Sequence, residues 1–120
     1  MSCCQAGTGP LDPSKESTYS FLKTLVTELM ALFNTSELFM MGGDEVPHDC
    51  WASNPKVCSF VKARGWGSDM EKLESYHAER VVGILAEQNR RVMCWQEVWE
   101  RGAALDAGAR VNGGSGGGEG

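Results

Sequence analysis

Leu22, Leu25, Val26, Leu29 and Phe33 recur at three- and four-residue steps, the spacing of one apolar face on a helix. The stripe predicts a helix that reaches about residue 33, capped by Asp12 and opened by Pro13, after a loop holding Gly7, Gly9 and Pro10. Leu38-Phe39-Met40-Met41 is a short continuous apolar run stopped by Gly42-Gly43. Such a run suits a strand buried on both faces of a parallel sheet, with a buried helical turn as the competing reading. Asn54-Pro55 then offers a cap with proline in the first helical position; Val57, Phe60 and Val61 share a face, and Gly65 can end this short helix. Ser68 with Glu71 makes a capping-box pattern, and Leu73, Tyr76, Val81, Ile84 and Leu85 carry a mostly apolar face to about residue 88. Val92-Met93-Cys94-Trp95 reads as a second buried strand ending at the polar residues Gln96 and Glu97.

The predicted order is helix, strand, two helices, strand. Two apolar strands joined by a helical crossover are expected to be parallel, with a right-handed connection, which is the grammar of α/β folds. At 120 residues the chain is long enough for one core. Its 42% apolar and 22% charged residues are those of a globular protein. Residues 102–120 turn Ala/Gly-rich and then Gly-rich, with few side chains to bury a face, and are expected to form a flexible tail.

Charge and cysteine usage narrow the function classes. A formal charge of -5, with no basic cluster longer than Arg90-Arg91, gives no electrostatic footprint for nucleic acid. There is no apolar run long enough for a membrane span, and Met1-Ser2-Cys3-Cys4-Gln5 lacks the basic-then-apolar order of a secretory signal, so none is expected in this chain. Five cysteines fit neither a small disulfide framework nor a structural zinc site. His48, Asp49, Cys50 and Cys58 lack a recognised ligand spacing, so neither a metal nor another cofactor is expected. Asn34-Thr35-Ser36 matches the glycosylation acceptor pattern, a short pattern that often arises by chance.

The candidate chemistry lies in Gly42-Gly43-Asp44-Glu45. These residues directly follow the first predicted strand, and in α/β folds catalytic groups stand at the carboxyl ends of strands. Two glycines allow a sharp bend or a close substrate approach. From this tetrapeptide alone, solvated turn carboxylates are the commoner reading. The longer stretch changes the balance. Phe39-Met40-Met41-Gly42-Gly43-Asp44-Glu45-Val46, Cys50-Trp51, Asn54-Pro55, Gly65, Leu73-Glu74-Ser75-Tyr76 and Trp95-Gln96-Glu97-Val98 together resemble the catalytic barrel of the family-20 glycoside hydrolases, the β-N-acetylhexosaminidases. Gly9-Pro10-Leu11-Asp12-Pro13 and Thr18-Tyr19-Ser20-Phe21-Leu22 extend the likeness upstream, toward the animal lysosomal members, so that it covers roughly residues 9–101.

The resemblance implies a fragment of a TIM (β/α)8 barrel, with residues 1–101 a partial catalytic domain. It implies that Glu45 is the general acid and base that protonates the departing glycosidic oxygen and later activates water. Retention by a carboxylate nucleophile needs two carboxyls facing each other about 5 Å apart, whereas neighbours on an extended chain point to opposite sides. The implied nucleophile is therefore the substrate's own acetamido oxygen, with Asp44 orienting that group and stabilising an oxazolinium-like intermediate. Trp95 is implied as a wall of the sugar pocket; without the resemblance a core tryptophan would be the reading. Trp51 is expected to pack beneath the active-site loop, and Glu97 receives no role. Cys50 matches a family cysteine bonded to one upstream, making Cys4, or else Cys3, its implied partner, against a free thiol. Cys58 and Cys94 read as core cysteines.

The implied substrates are glycans or glycoconjugates ending in β-linked N-acetylglucosamine or N-acetylgalactosamine. The implied location is lysosomal or secretory. Two departures matter. Met40 stands where the family usually carries His, and two predicted strands are far from the eight strand-helix units and about 250 residues of a closed barrel. The alternative is an inactive truncated or degenerate hexosaminidase fragment, able to form a dimer through exposed sheet edges. No turnover is expected from the isolated chain.

Overall fold

The computed structural model describes residues 9–100. The Gly-rich segment expected as a tail, and both Cys3 and Cys4, lie outside the described residues. The elements run α1 (Glu16–Leu32), β1 (Leu38–Gly42), α2 (His48–Ala52), α3 (Pro55–Ala63), α4 (Met70–Glu87), β2 (Arg91–Cys94) and α5 (Gln96–Glu100). The four longer segments expected in the first half and middle of the chain, and the second strand, occur in the expected order. Two short helices, α2 and α5, are additions, because five residues are too few to display a helical period.

Helix α1 begins later than Asp12 and Pro13 suggest. Asp12 Oδ1 accepts hydrogen bonds from the Ser14 N–H at 3.0 Å and the Ser14 hydroxyl at 2.6 Å, which makes it a turn residue ahead of the helix. The helix itself starts after Lys15, which makes no side-chain cap. Its buried face is Tyr19, Val26 and Met30, flanked by Leu22 and Leu29. Leu25 and Phe33, expected on that face, are exposed: one lies about 100° around the helix from Val26, and the other is the C-cap residue beyond the last turn.

The ends of α3 and α4 follow local chemistry. Asn54 Oδ1 accepts the Lys56 N–H at 3.0 Å, with Pro55 opening α3 as expected. Gly65, at φ 75°, lets the Trp66 N–H reach the Val61 carbonyl at 3.1 Å and its own N–H reach the Lys62 carbonyl at 2.9 Å, a Schellman end. Asn89, at φ 54°, ends α4 in the same way, with the Arg90 N–H on the Leu85 carbonyl at 3.1 Å. The cap of α4 is Asp69 rather than Ser68, accepting the N–H groups of Glu71 and Lys72.

Strands β1 and β2 pair in parallel, Leu38 opposite Arg91 and Met40 opposite Met93, with an irregularity that brings Gly42 opposite Cys94. One sheet face carries Phe39, Met41, Val92 and Cys94 against the helices. On the other, Leu38, Met40 and Met93 are each between 43% and 47% exposed, which corrects the expectation of strands buried on both faces.

Helix α4 ties the layers together. Ile84 and Leu85 join Tyr19, Val26 and Met30 of α1; Met70 and Leu73 join Trp51, Val57 and Val61; Ala78 meets Val98. At the α1–α4 crossing the Arg80 guanidinium binds both Glu16 oxygens, at 2.8 and 2.7 Å, lies 3.9 Å from the Tyr19 ring centre and donates to the Tyr76 hydroxyl at 2.9 Å. The bond from Arg80 holds the Glu16 carboxyl below its usual range, but Glu16 is exposed and this ion pair is a weak source of stability.

Leu73 is fully buried, so Leu73→Ala should lower unfolding free energy by about 2–5 kcal/mol, read from urea unfolding. Burial pushes the His77 imidazole below its ordinary range, Arg80 adds to the effect and Glu74 opposes it. The unfolded chain therefore takes up a proton that the fold resists, and stability falls as pH drops below about 6.5. Replacing His77 with Phe should flatten this part of the unfolding profile between about pH 7 and pH 5.

Candidate active site

The loop after β1 bends at once. Gly42 and Gly43 adopt φ of 75° and 97°. At Gly43 a Cβ would stand 2.4 Å from Val98 Cγ2, so glycine meets both a conformational and a steric demand. The neighbour pressing on it belongs to α5, just after β2. A weak bond from the Trp95 N–H to the Gly42 carbonyl, at 3.4 Å, joins the two strand ends again. The backbone N–H of Glu45 donates to Glu97 Oε2 at 3.0 Å across 52 residues of sequence. Glu45 itself is left-handed, with φ 49°, an uncommon conformation for a residue with a side chain.

These contacts bring the two carboxyl ends of the parallel strands to one place. A hollow of about 390 Å³ is lined by Asp44, Trp95, Gln96, Glu97 and Glu100. Of the three site residues read from the sequence, Asp44 and Trp95 share this hollow. Glu45 is exposed on the adjoining loop, beside Asp44 and bound through its backbone to Glu97. Trp95 is 53% exposed, so it is not a core tryptophan in this chain.

Downstream, α2 fastens the loop to the helical layer. His48 Nε2 contacts Glu74 Oε2, where Glu74 is buried on α4, and the His48 ring stacks on Trp51 at 5.8 Å. Trp51 is 4% exposed, donates its indole N–H to the Leu11 carbonyl at 3.0 Å, and belongs to the cluster that Val46 packs against. It lies where packing beneath the loop was expected. Among the described residues no group of three His, Cys, Asp or Glu side chains is disposed to hold a metal ion. Cys50 is half-buried in α2, and its implied partner Cys4 lies outside the described residues. Burial pushes the Cys94 thiol above its ordinary range.

A separate apolar cavity of about 300 Å³ lies between the sheet and the helices, lined by Leu22, Leu29, Phe39, Met41, Val81 and Ile84 among others. Its polar fringe is Glu74, Ser75 and His77, of which Glu74 contacts His48, His77 meets the Tyr19 hydroxyl and Ser75 is also engaged, so it reads as loose packing rather than as a second site. Glu97 is the residue that sequence reading missed. Its sequence signals were a polar pair ending an apolar strand and a place in the Trp95-Gln96-Glu97-Val98 resemblance, and neither announces a partner 52 residues away.

The family model for the catalytic domain of glycosyl hydrolase family 20 matches residues 1–113. The chain belongs to this family. Beta-hexosaminidase subunit beta of Homo sapiens is 41% identical over 103 residues, which cover 86% of this chain and 18% of that protein. The Mus musculus subunit beta is 37% identical over the same length, covering 86% of this chain and 19% of its own. Beta-hexosaminidase subunit alpha of Bos taurus is 37% identical over 92 residues, 77% of this chain and 17% of its own. The chain thus spans less than a fifth of the length of these family-20 relatives. Among the described residues no helix is long and apolar enough to cross a membrane.

The contact at Gly43 is testable. Gly43→Ala should destabilise the family-20 chain by about 1–3 kcal/mol, through its positive φ and the clash with Val98. In a double-mutant cycle measured by urea unfolding, Val98→Ala should recover the steric part, making the double variant more stable than the sum of the two single losses.

Proposed function

We propose that this chain carries the acid/base segment of a β-N-acetylhexosaminidase that removes terminal non-reducing β-linked N-acetylhexosamine residues with retention. The observation that carries the reading is the convergence of Asp44 and Trp95 on one hollow at the carboxyl ends of two parallel strands, with Glu45 next to Asp44. In this mechanism Glu45 protonates the glycosidic oxygen as the bond to the anomeric carbon breaks. The acetamido oxygen of the same sugar attacks from the other side, and the ring nitrogen of the resulting oxazolinium-like intermediate carries positive charge. Asp44 holds the acetamido group and offsets that charge. Water activated by Glu45 then opens the intermediate. Trp95 supplies a flat apolar wall for the sugar, and its exposure leaves the ring free to do so.

The bare sheet face supports placing both strands in a (β/α)8 barrel. In such a barrel, inward side chains from alternate strands fill the interior in layers. Leu38, Met40 and Met93 form an apolar surface of that kind, open on the side away from the helices. The relatives are named as subunits, which favours association with a further chain. A lysosomal or secretory location and a bridge from Cys4 to Cys50 complete this reading.

The second reading is an inactive fragment. It is favoured by the exposed apolar sheet face, which a closed barrel would cover. A fluorogenic β-N-acetylglucosaminide separates the two. The enzymatic reading expects turnover that falls about 10²–10⁴-fold in Glu45→Gln. Equal turnover by that variant would remove the role given to Glu45, and no turnover from the unaltered chain would favour the inactive reading.

A further inference from the structure

The acid pair sits on a loop whose backbone is held from outside. We infer that Glu97 is a positioning residue that fixes the left-handed backbone of Glu45 and so sets the direction of the Glu45 side chain. The inference rests on the acid/base reading of Glu45.

Three observations meet here. Glu45 has φ 49°, which a residue with a Cβ adopts at a cost unless something specific stabilises it. The N–H of Glu45 is taken by Glu97 Oε2 at 3.0 Å, which holds the peptide plane from which this φ turns, and the bond is strengthened by the acceptor's charge when Glu97 is ionised. Glu97 is itself fixed at its backbone, because the next residue, Val98, is buried against Gly43 and the Trp95 N–H reaches the Gly42 carbonyl. The carboxylate thus acts from a backbone that is packed against the same loop. Rotation of Glu45 back to ordinary φ would swing its Cα–Cβ bond, and with it the carboxyl, away from the position that the loop now gives it. Glu97 also lines the hollow beside Asp44, so one carboxylate links the acid pair to the wall that holds Trp95.

Nuclear magnetic resonance on the full ¹⁵N-labelled chain tests this without needing turnover. Glu45→Gln, Asp44→Asn and Glu100→Gln are introduced together, so that no other carboxyl bordering the loop or the hollow titrates. In that background the amide proton of residue 45 should move upfield as acid protonates Glu97, and its strong intraresidue contact to Hα should report positive φ. Adding Glu97→Ala should abolish the titration and return residue 45 to negative φ. Adding Glu97→Gln, which keeps an acceptor oxygen but no ionisation, should abolish the titration and retain positive φ. Unchanged remote amides such as those of Val82 and Leu85 show that each variant is folded. A residue-45 amide blind to Glu97, or a positive φ that survives Glu97→Ala, overturns the inference. On the unsubstituted loop, kcat toward the fluorogenic substrate should fall about 10²-fold in Glu97→Ala with KM little changed, and recover partly in Glu97→Gln. Turnover indifferent to Glu45→Gln would defeat the acid/base reading, and it is distinguished from failure of the anchor by the resonance data.

Discussion

The contact on which the site depends is the meeting of two strand ends, where Val98 presses into the space a Gly43 side chain would fill and Glu97 takes the backbone N–H of Glu45. Parallel pairing puts the carboxyl ends of β1 and β2 on the same side of the sheet, and this is why loops so distant in sequence can share a surface. An antiparallel arrangement would have sent Asp44 and Trp95 to opposite ends. The bend at Gly42 and Gly43 then turns the acid pair across the strand end instead of letting it run on into solvent.

Rigidity reaches this surface from beneath. Helix α4 packs on α1, on the α2–α3 layer and on α5 through successive parts of its length, so one helix supports both sides of the loop. His48 on Glu74 and Trp51 on the Leu11 carbonyl anchor the chain within a few residues of the acids. The apolar packing supplies most of the stabilisation, since the Glu16 side of the Arg80–Glu16 pair is open to solvent. The polar contacts near the loop contribute direction more than energy. The fold is asymmetric in consequence: its helical side is closed, while the opposite sheet face remains apolar and open.

The longer elements were legible because each repeats a local signal. Leu73, Ile84 and Leu85 lie on the buried face of α4 with Tyr76 and Val81 half-buried beside it, and Asn54-Pro55 with Gly65 brackets α3 through capping chemistry that acts within a few residues. Errors came where a local signal had two outlets. Asp12 bonds Ser14 as a turn residue instead of capping α1, and Ser68 yields to Asp69 at the start of α4. Helices α2 and α5 are too short for periodicity to reveal. The expectation of strands covered on both faces assumed neighbours that the described residues do not supply.

By itself the sequence determined the alternation of helices and strands, the glycine bend, the acid pair after β1 and Trp95 after β2, because backbone preference, capping and hydrophobic period act between near neighbours. Their agreement with the family-20 pattern follows from the same residues. Only the tertiary structure decided that Asp44 and Trp95 face one hollow, that Val98 enforces Gly43, and that Glu97 holds Glu45 across 52 residues. Those depend on the parallel register and on how α5 docks, and no short-range spacing encodes a contact that exists only once two distant chain segments have been brought side by side.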